Sequence, residues 1–434
     1  MTDYKNLIDG KMVDNGQWLE VLNPATEQVV GRVPSCGKEE LDSAVAAARR
    51  AFTQWKKTTA EERQQVVQGI AAAIKENADE LYRLLTSEQG KPHAQAQQEI
   101  YDAAGLAAAQ STLTLDDVIN QDDDTRLSRT RRVPVGVVGG IVPWNFPIMM
   151  AIQKIVPALV AGCTIVLKPS PFTPLTTLRV AELIKDVVPA GTVNIITGED
   201  TLGPLITEHP DIDKITFTGS TATGKKIMEG ASGDLKRITL ELGGNDASIV
   251  LPDADVQKVA EQLFWSSFSN AGQVCIAAKR IYIHEDIYDD LSKAIADYAK
   301  TVVVGDGSQQ GTGVGPIQNK KQYERVLDLI QDAKDNGYKF LTGGDKDPSG
   351  TGYYVPITIL DNPPEDARIV AEEQFGPVMP LMKFASVDEV IERANNSEYG
   401  LAGAVWTKDT DKGVEIAEQL ETGTVWINEF MQLS

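Results

Sequence analysis

Past Pro134 the chain repeats one alternation: a strand-length apolar run, a helical stretch, then another run. The runs are Val135-Gly136-Val137-Val138, Thr164-Ile165-Val166-Leu167, Val193-Asn194-Ile195-Ile196 and Lys214-Ile215-Thr216-Phe217, and Leu175 to Val187 is one of the helical stretches between them. Strands apolar at successive positions need cover on both faces, and the intervening helices supply it. The expected fold class is therefore α/β with a parallel sheet. Ligands in such sheets bind at the carboxyl ends of the strands. The residues least suited to a core fall there: Pro143-Trp144-Asn145-Phe146-Pro147, Lys168-Pro169-Ser170 and Thr218-Gly219-Ser220.

A second α/β unit is expected after Glu241-Leu242-Gly243-Gly244-Asn245. Its strands lie near Ala247 to Val250 and Arg280 to Ile283, its helices over Ile287 to Thr301 and Tyr323 to Asn336, and a glycine-rich loop spans Gly305 to Gly315. Before the first unit, Leu41, Val45, Ala48, Phe52 and Trp55 recur at three- and four-residue steps and give one apolar helix face. A second helix is expected to run from Ala60 on to Gln89, and a third from Ala94 to Leu113. An acidic cluster over Leu115 to Asp124 then meets the basic Arg126 to Arg132. Adjoining blocks of opposite charge suit an exposed excursion, either a docking arm or a solvated loop.

With 434 residues the chain is too long for one simple core. Its formal charge of −21 argues against a nucleic-acid or anionic-membrane partner. Cys36, Cys163 and Cys275 are odd in number and widely spaced, so neither a disulfide framework nor a metal cluster follows. The first residues lack a signal layout. The long apolar stretch Ile148 to Leu167 is interrupted by Gln153, Lys154 and Pro157, which favours a buried helix followed by a buried strand over a membrane span. A soluble, cytoplasmic protein is expected.

Cys275 closes a short polar bend, Asn270-Ala271-Gly272-Gln273-Val274-Cys275, between an apolar run and a strand. As a thiolate it would be a nucleophile, whereas most free cysteines are small buried hydrophobes. Glu241 beside two glycines suits a general base or an exposed turn. Asn145, framed by aromatics and prolines, suits an oxyanion donor or a structural turn. Lys168 is a ligand-edge charge or a snorkelling surface lysine. The hydroxyl-rich turn from Thr218 to Lys225 can offer N–H groups to a phosphate, and Ser220 or Thr221 can cap the helix it opens. His93, His209 and His284 lie far from all of these in sequence, which disfavours a cysteine–histidine hydrolase.

Taken together the chain resembles the NAD(P)-dependent aldehyde dehydrogenase superfamily. The motifs occur in order: PWNFP from Pro143, KPS from Lys168, FTGSTxxG from Phe217, ELGGN from Glu241, GQVC from Gly272 and EEQFGPV from Glu372. The resemblance implies a dinucleotide-binding domain over residues 1–114 and 135–242, an oligomerisation arm over 115–134 and a catalytic domain over 243–434. It implies that Cys275 forms a thiohemiacetal and then a thioester with an aldehyde. Asn145 and the Cys275 N–H would hold the oxyanion, and Glu241 would activate water, with Lys154 near that base. For NAD or NADP it implies contacts from Val142, Pro143, Trp144, Lys168, Ser170, Gly219, Ser220, Leu242, Glu373 and Phe375. A substrate tunnel would take Phe146, Met150, Gln153, Ser269, Val274, Ile276, Phe430 and Met431. These residues are mostly apolar and lack an arginine clamp, so an uncharged aldehyde is expected over a semialdehyde acid. A cofactor-independent cysteine esterase and an inactive nucleotide-binding relative are the alternatives.

Two departures stand out. Many relatives carry a glutamate three residues after the KPS lysine, which repels a 2′-phosphate. Pro171 stands there, leaving NADP possible beside the favoured NAD. Relatives also continue after the strand matching Val425 to Asn428 with a PFGG-x-K-x-S-G segment and a final strand, where this chain runs Glu429 to Ser434. The homodimer or homotetramer expected from the family would then lack part of its shared sheet.

Overall fold

The computed structural model describes residues 2–345 and 350–432. The chain divides into two compact units. The first comprises the chain up to Leu22, Gln28–Gln89 and His93–Glu241; the second comprises Asn23–Glu27, Gly90–Pro92 and the chain from Leu242 onward.

The first unit is built on a seven-stranded sheet. In spatial order its strands are Arg237–Glu241, Lys214–Thr218, Val137–Ile141, Thr164–Lys168, Val193–Ile195, Asn6–Ile8 and Lys11–Val13. The first five run parallel, and the last two form an antiparallel edge. Register brings the strand ends together. Ile141 lies opposite both Lys168 and Phe217, and Thr218 lies opposite Glu241. The loops that follow these strands therefore leave one edge of the sheet side by side.

Helix Pro147–Val160 starts on a proline, whose missing N–H costs nothing in a first turn. It buries Ile148, Ile152, Ile155 and Leu159 against Ile165 and Leu167 of the sheet. Each such side chain contributes about 1.5–3 kcal/mol on burial. Helix Leu175–Ile184 adds Leu178 and Ala181 to the same core. The stretch from Ile148 to Leu167 is thus a helix and a strand, and among the described residues no helix is long and apolar enough to cross a membrane.

The run from Ala60 to Gln89 is two helices, Ala60–Glu76 and Ala78–Gln89, and not one. The break falls at Asn77, whose side-chain amide donates to the Ala73 carbonyl at 2.8 Å and ends the first helix. Thr59 and Glu62 close a reciprocal cap at its start, with N–O distances of 3.2 and 2.7 Å. The charged excursion is an antiparallel hairpin of Val118–Asp123 and Arg126–Thr130, with Val118, Ile119 and Leu127 exposed.

The second unit carries another seven-stranded sheet, ordered Lys339–Thr342, Thr358–Asp361, Val378–Phe384, Ala278–His284, Asp246–Val250, Ala402–Trp406 and Thr424–Ile427. Only its first pair is antiparallel. Helix Val256–Phe268 packs Leu263, Phe264 and Phe268 into one core. The glycine-rich stretch from Gly305 is not wholly a loop, because Val303–Val304 pairs in parallel with Thr312–Val314.

Candidate active site

In the first unit the sheet edge gathers buried cations. Lys154 projects from helix Pro147–Val160, and its ammonium donates to Thr218 Oγ1 at 2.9 Å and Thr216 Oγ1 at 3.3 Å. Burial pulls its pKa down to about 8, with the Glu241 carboxylate partly holding it up. Glu241 itself is exposed at the end of its strand, and its carbonyl accepts from the Gly219 N–H at 3.0 Å. Lys168 is not a snorkelling surface residue: it is 3% exposed. Burial pulls it to about 8 as well, opposed by the charge of Asp200. Ser220 caps helix Thr221–Ser232, its hydroxyl accepting from the Thr223 N–H at 3.3 Å.

The loops after the strands are fixed from below by two buried glutamates. Glu99 accepts from the Ile148 N–H at 3.0 Å and the Met149 N–H at 3.3 Å, so a carboxylate caps the helix that follows Asn145. Glu88 does the same for Leu175 and Thr176, at 2.7 and 2.9 Å. Burial raises Glu88 to about 7. Asn145 is buried at the start of this frame, while Trp144 and Phe146 stay partly exposed.

In the second unit Cys275 follows a strained bend. Asn270 and Ala271 adopt left-handed φ values of 50° and 55°, and Gly272 one of 72°. Asn270 and Ala271, which carry side chains, store backbone strain that the surroundings must hold. Gln273 holds it, donating to the Asn270 carbonyl at 2.8 Å while its own side-chain oxygen accepts from the Gln318 N–H at 2.8 Å. At Gly272 a Cβ would lie 2.0 Å from the Gly376 carbonyl oxygen, so only glycine fits.

Cys275 is partly exposed as a residue, as is Ile276, after the buried run Ala271 to Val274. Burial pushes the thiol up; Lys279 pulls it down, and Asp246 and Glu373 push it up further. Glu373 rests on the glycine pair, its Oε1 accepting from the Gly244 N–H at 3.2 Å. A Cβ at Gly243 would meet its Oε2 at 2.3 Å. The next loop is tied to helix Lys320–Asp335 by Gln322, which donates to the carbonyls of Gln374 and Phe375, both at 3.0 Å.

The model of the aldehyde dehydrogenase family matches residues 12–434. This chain belongs to the aldehyde dehydrogenase family.

Among its relatives, a "Probable aldehyde dehydrogenase" of a Pseudomonas species is 44% identical over 399 residues, 92% of this chain and 81% of that protein. The NAD+ complex of an aldehyde dehydrogenase from Bacillus cereus is 40% identical, with a TM-score of 0.97 over 100% of this chain and 89% of that one. An NADP-dependent enzyme of E. coli is 37% identical at a TM-score of 0.97, covering 100% of this chain and 91% of its own. As in its relatives, the chemistry of this dehydrogenase is the oxidation of aldehydes.

The expected site residues divide between the units. Val142, Pro143, Trp144, Asn145, Phe146, Met150, Gln153, Lys154, Lys168, Ser170, Gly219, Ser220 and Glu241 belong to the first; Leu242, Ser269, Val274, Cys275, Ile276, Glu373, Phe375, Phe430 and Met431 belong to the second. Val274 is buried at 4% exposure, and Phe430 packs on the second unit's core. Sequence reasoning passed over Glu88, Glu99, Asp246 and Lys279. Lys279 had one signal: a charge four residues past Cys275, after the apolar Ile276-Ala277-Ala278.

Proposed function

We propose that this dehydrogenase oxidises an uncharged aliphatic or aromatic aldehyde to its carboxylic acid, through a covalent adduct on Cys275. The observation that carries this reading is Cys275, a partly exposed residue that closes a left-handed bend only glycine can complete.

The residues at the first unit's sheet edge fit a dinucleotide. The buried Lys168 ammonium suits ribose hydroxyls, and the N-terminus of helix Thr221–Ser232 with Gly219 and Ser220 suits a diphosphate. Glu373 is a carboxylate of the type that receives ribose hydroxyls. The NAD+ complex and the NADP-dependent relative support either cofactor. Pro171 puts no carboxylate against a 2′-phosphate, and NAD is favoured because no lysine or arginine adjoins it.

Cys275 adds to the aldehyde carbon as a thiolate, forming an S–C bond and an oxyanion. The Asn145 amide and the Cys275 N–H donate to that oxygen as charge builds on it. A nicotinamide bound here would supply the hydride acceptor for this carbon, and Cys275 would then hold the acyl group as a thioester. Glu241 then takes a proton from water, which attacks the thioester and frees the acid and the thiolate. Because burial holds the resting thiol above its ordinary value, Glu241 also serves to deprotonate it. Exposure leaves the Glu241 carboxylate available for both tasks.

The test is a screen of aldehydes with NAD and NADP, following reduction of the nicotinamide by absorbance. Reduction with benzaldehyde-type or simple aliphatic substrates is expected. A strong preference for succinic semialdehyde would overturn the substrate class, and no aldehyde-dependent reduction would overturn the activity.

A further inference from the structure

Behind Cys275 lies a buried lysine that the reaction above leaves unused. Lys279 is the second residue of strand Ala278–His284 and is 3% exposed. An ammonium so placed needs partners, because an unpaired buried charge costs several kcal/mol. It has two. Its Nζ donates to the Cys275 carbonyl at 2.7 Å and lies 3.4 Å from Glu373 Oε1. That same carboxylate oxygen accepts from the Gly244 N–H. One cation therefore touches both the peptide that carries the nucleophile and the carboxylate assigned to the cofactor.

The other charges nearby do not replace it. Asp246 is 4% exposed; its Oδ1 accepts from the Ala402 N–H at 3.2 Å. Arg280 is spent elsewhere, donating to the Asn245 carbonyl at 2.8 Å and the Ala394 carbonyl at 2.8 Å. Of the charges acting on the sulfur, Asp246 and Glu373 disfavour the thiolate, and Lys279 favours it.

We propose that Lys279 is a positioning residue, which pins the Cys275 peptide to Glu373 and opposes the charges of Asp246 and Glu373 at the sulfur. The inference rests on the reading of Cys275 as the nucleophile and Glu373 as a cofactor carboxylate. It makes the sulfur's ionisation depend on how Glu373 is engaged.

The test is the pH profile for alkylation of the full chain by iodoacetamide, with Cys275→Ala as the blank, since Cys36 and Cys163 are buried. Lys279→Met keeps the length and removes the charge. Its profile midpoint should rise by about one pH unit, which slows alkylation at neutral pH roughly tenfold. Glu373→Gln should move the midpoint the other way. If Lys279→Met fails to fold, judged by circular dichroism and melting, Glu373→Gln alone decides. A midpoint unmoved in a folded Lys279→Met, or not lowered in Glu373→Gln, overturns the proposal. Alkylation needs neither aldehyde nor cofactor. Opposite shifts in a chain that oxidises no aldehyde would therefore support Lys279 while overturning the dehydrogenase reading.

Discussion

The two units differ in the charged groups they bury at their candidate sites. The first buries cations: Lys154 and Lys168 are both drawn down to about 8 by desolvation. The second buries both signs around its thiol: Asp246 is pushed up to about 7 and the Cys275 thiol is raised, with the Lys279 ammonium buried beside them. The difference follows what each is proposed to meet. An edge of ammonium groups and helix N–H donors suits an anionic dinucleotide. A thiol raised first by burial and further by two carboxylates suits a nucleophile that a base must activate. The strain differs too: the first site is braced by glutamate caps on helix N-termini, the second by a left-handed bend locked through Gln273.

That contrast can be broken at several points. Asn145→Ala should cost most, lowering kcat by about 10²–10³ with little change in cofactor affinity. Glu241→Gln should slow steady-state turnover roughly 10²-fold while leaving a single burst of reduced cofactor in stopped flow. Gly272→Ala must place a Cβ against the Gly376 carbonyl, so a loss of about 2 kcal/mol or more is expected in denaturant unfolding. Lys168→Met should raise KM for the cofactor about tenfold with kcat kept. In the native chain, Lys168 sheds its charge as pH rises through about 8, so cofactor KM should climb there and stay flat in the variant.

The smallest effect concerns Asp246. Its pKa is raised, so the stability it contributes is present below the ordinary carboxyl range and lost as pH climbs through about 7. Asp246→Asn should remove that slope and be more stable than the native chain above pH 7, by about 1 kcal/mol, in melting or denaturant titrations. A variant with the native slope would show that the second unit does not bury an unfavourable acid there.

The parallel sheet was legible because its strands are apolar at successive positions, and the motif loops fall at strand ends for the same reason. Helix boundaries were less so. Asn77 ends a helix through its own side chain, and the apolar pattern carries on across it. The small pieces Asn23–Glu27 and Gly90–Pro92 join the second unit by long-range packing that no local pattern encodes. The residue types of the site were legible, their depth was not. Lys168 and Lys279 look like surface lysines in local sequence, and long-range packing buries both. Ala271 carries no turn signal, yet it takes a positive φ beside Gly272 because the bend as a whole is held from outside.

The central claim is a covalent acyl group on one sulfur, and intact-protein and peptide mass spectrometry test it most directly. Glu241→Gln, quenched after mixing with benzaldehyde and NAD, should carry one acyl mass on the peptide containing Cys275, and Cys275→Ala should carry none and reduce no cofactor. Aldehyde-dependent reduction that persists in Cys275→Ala, with no acyl mass in either variant, would contradict it.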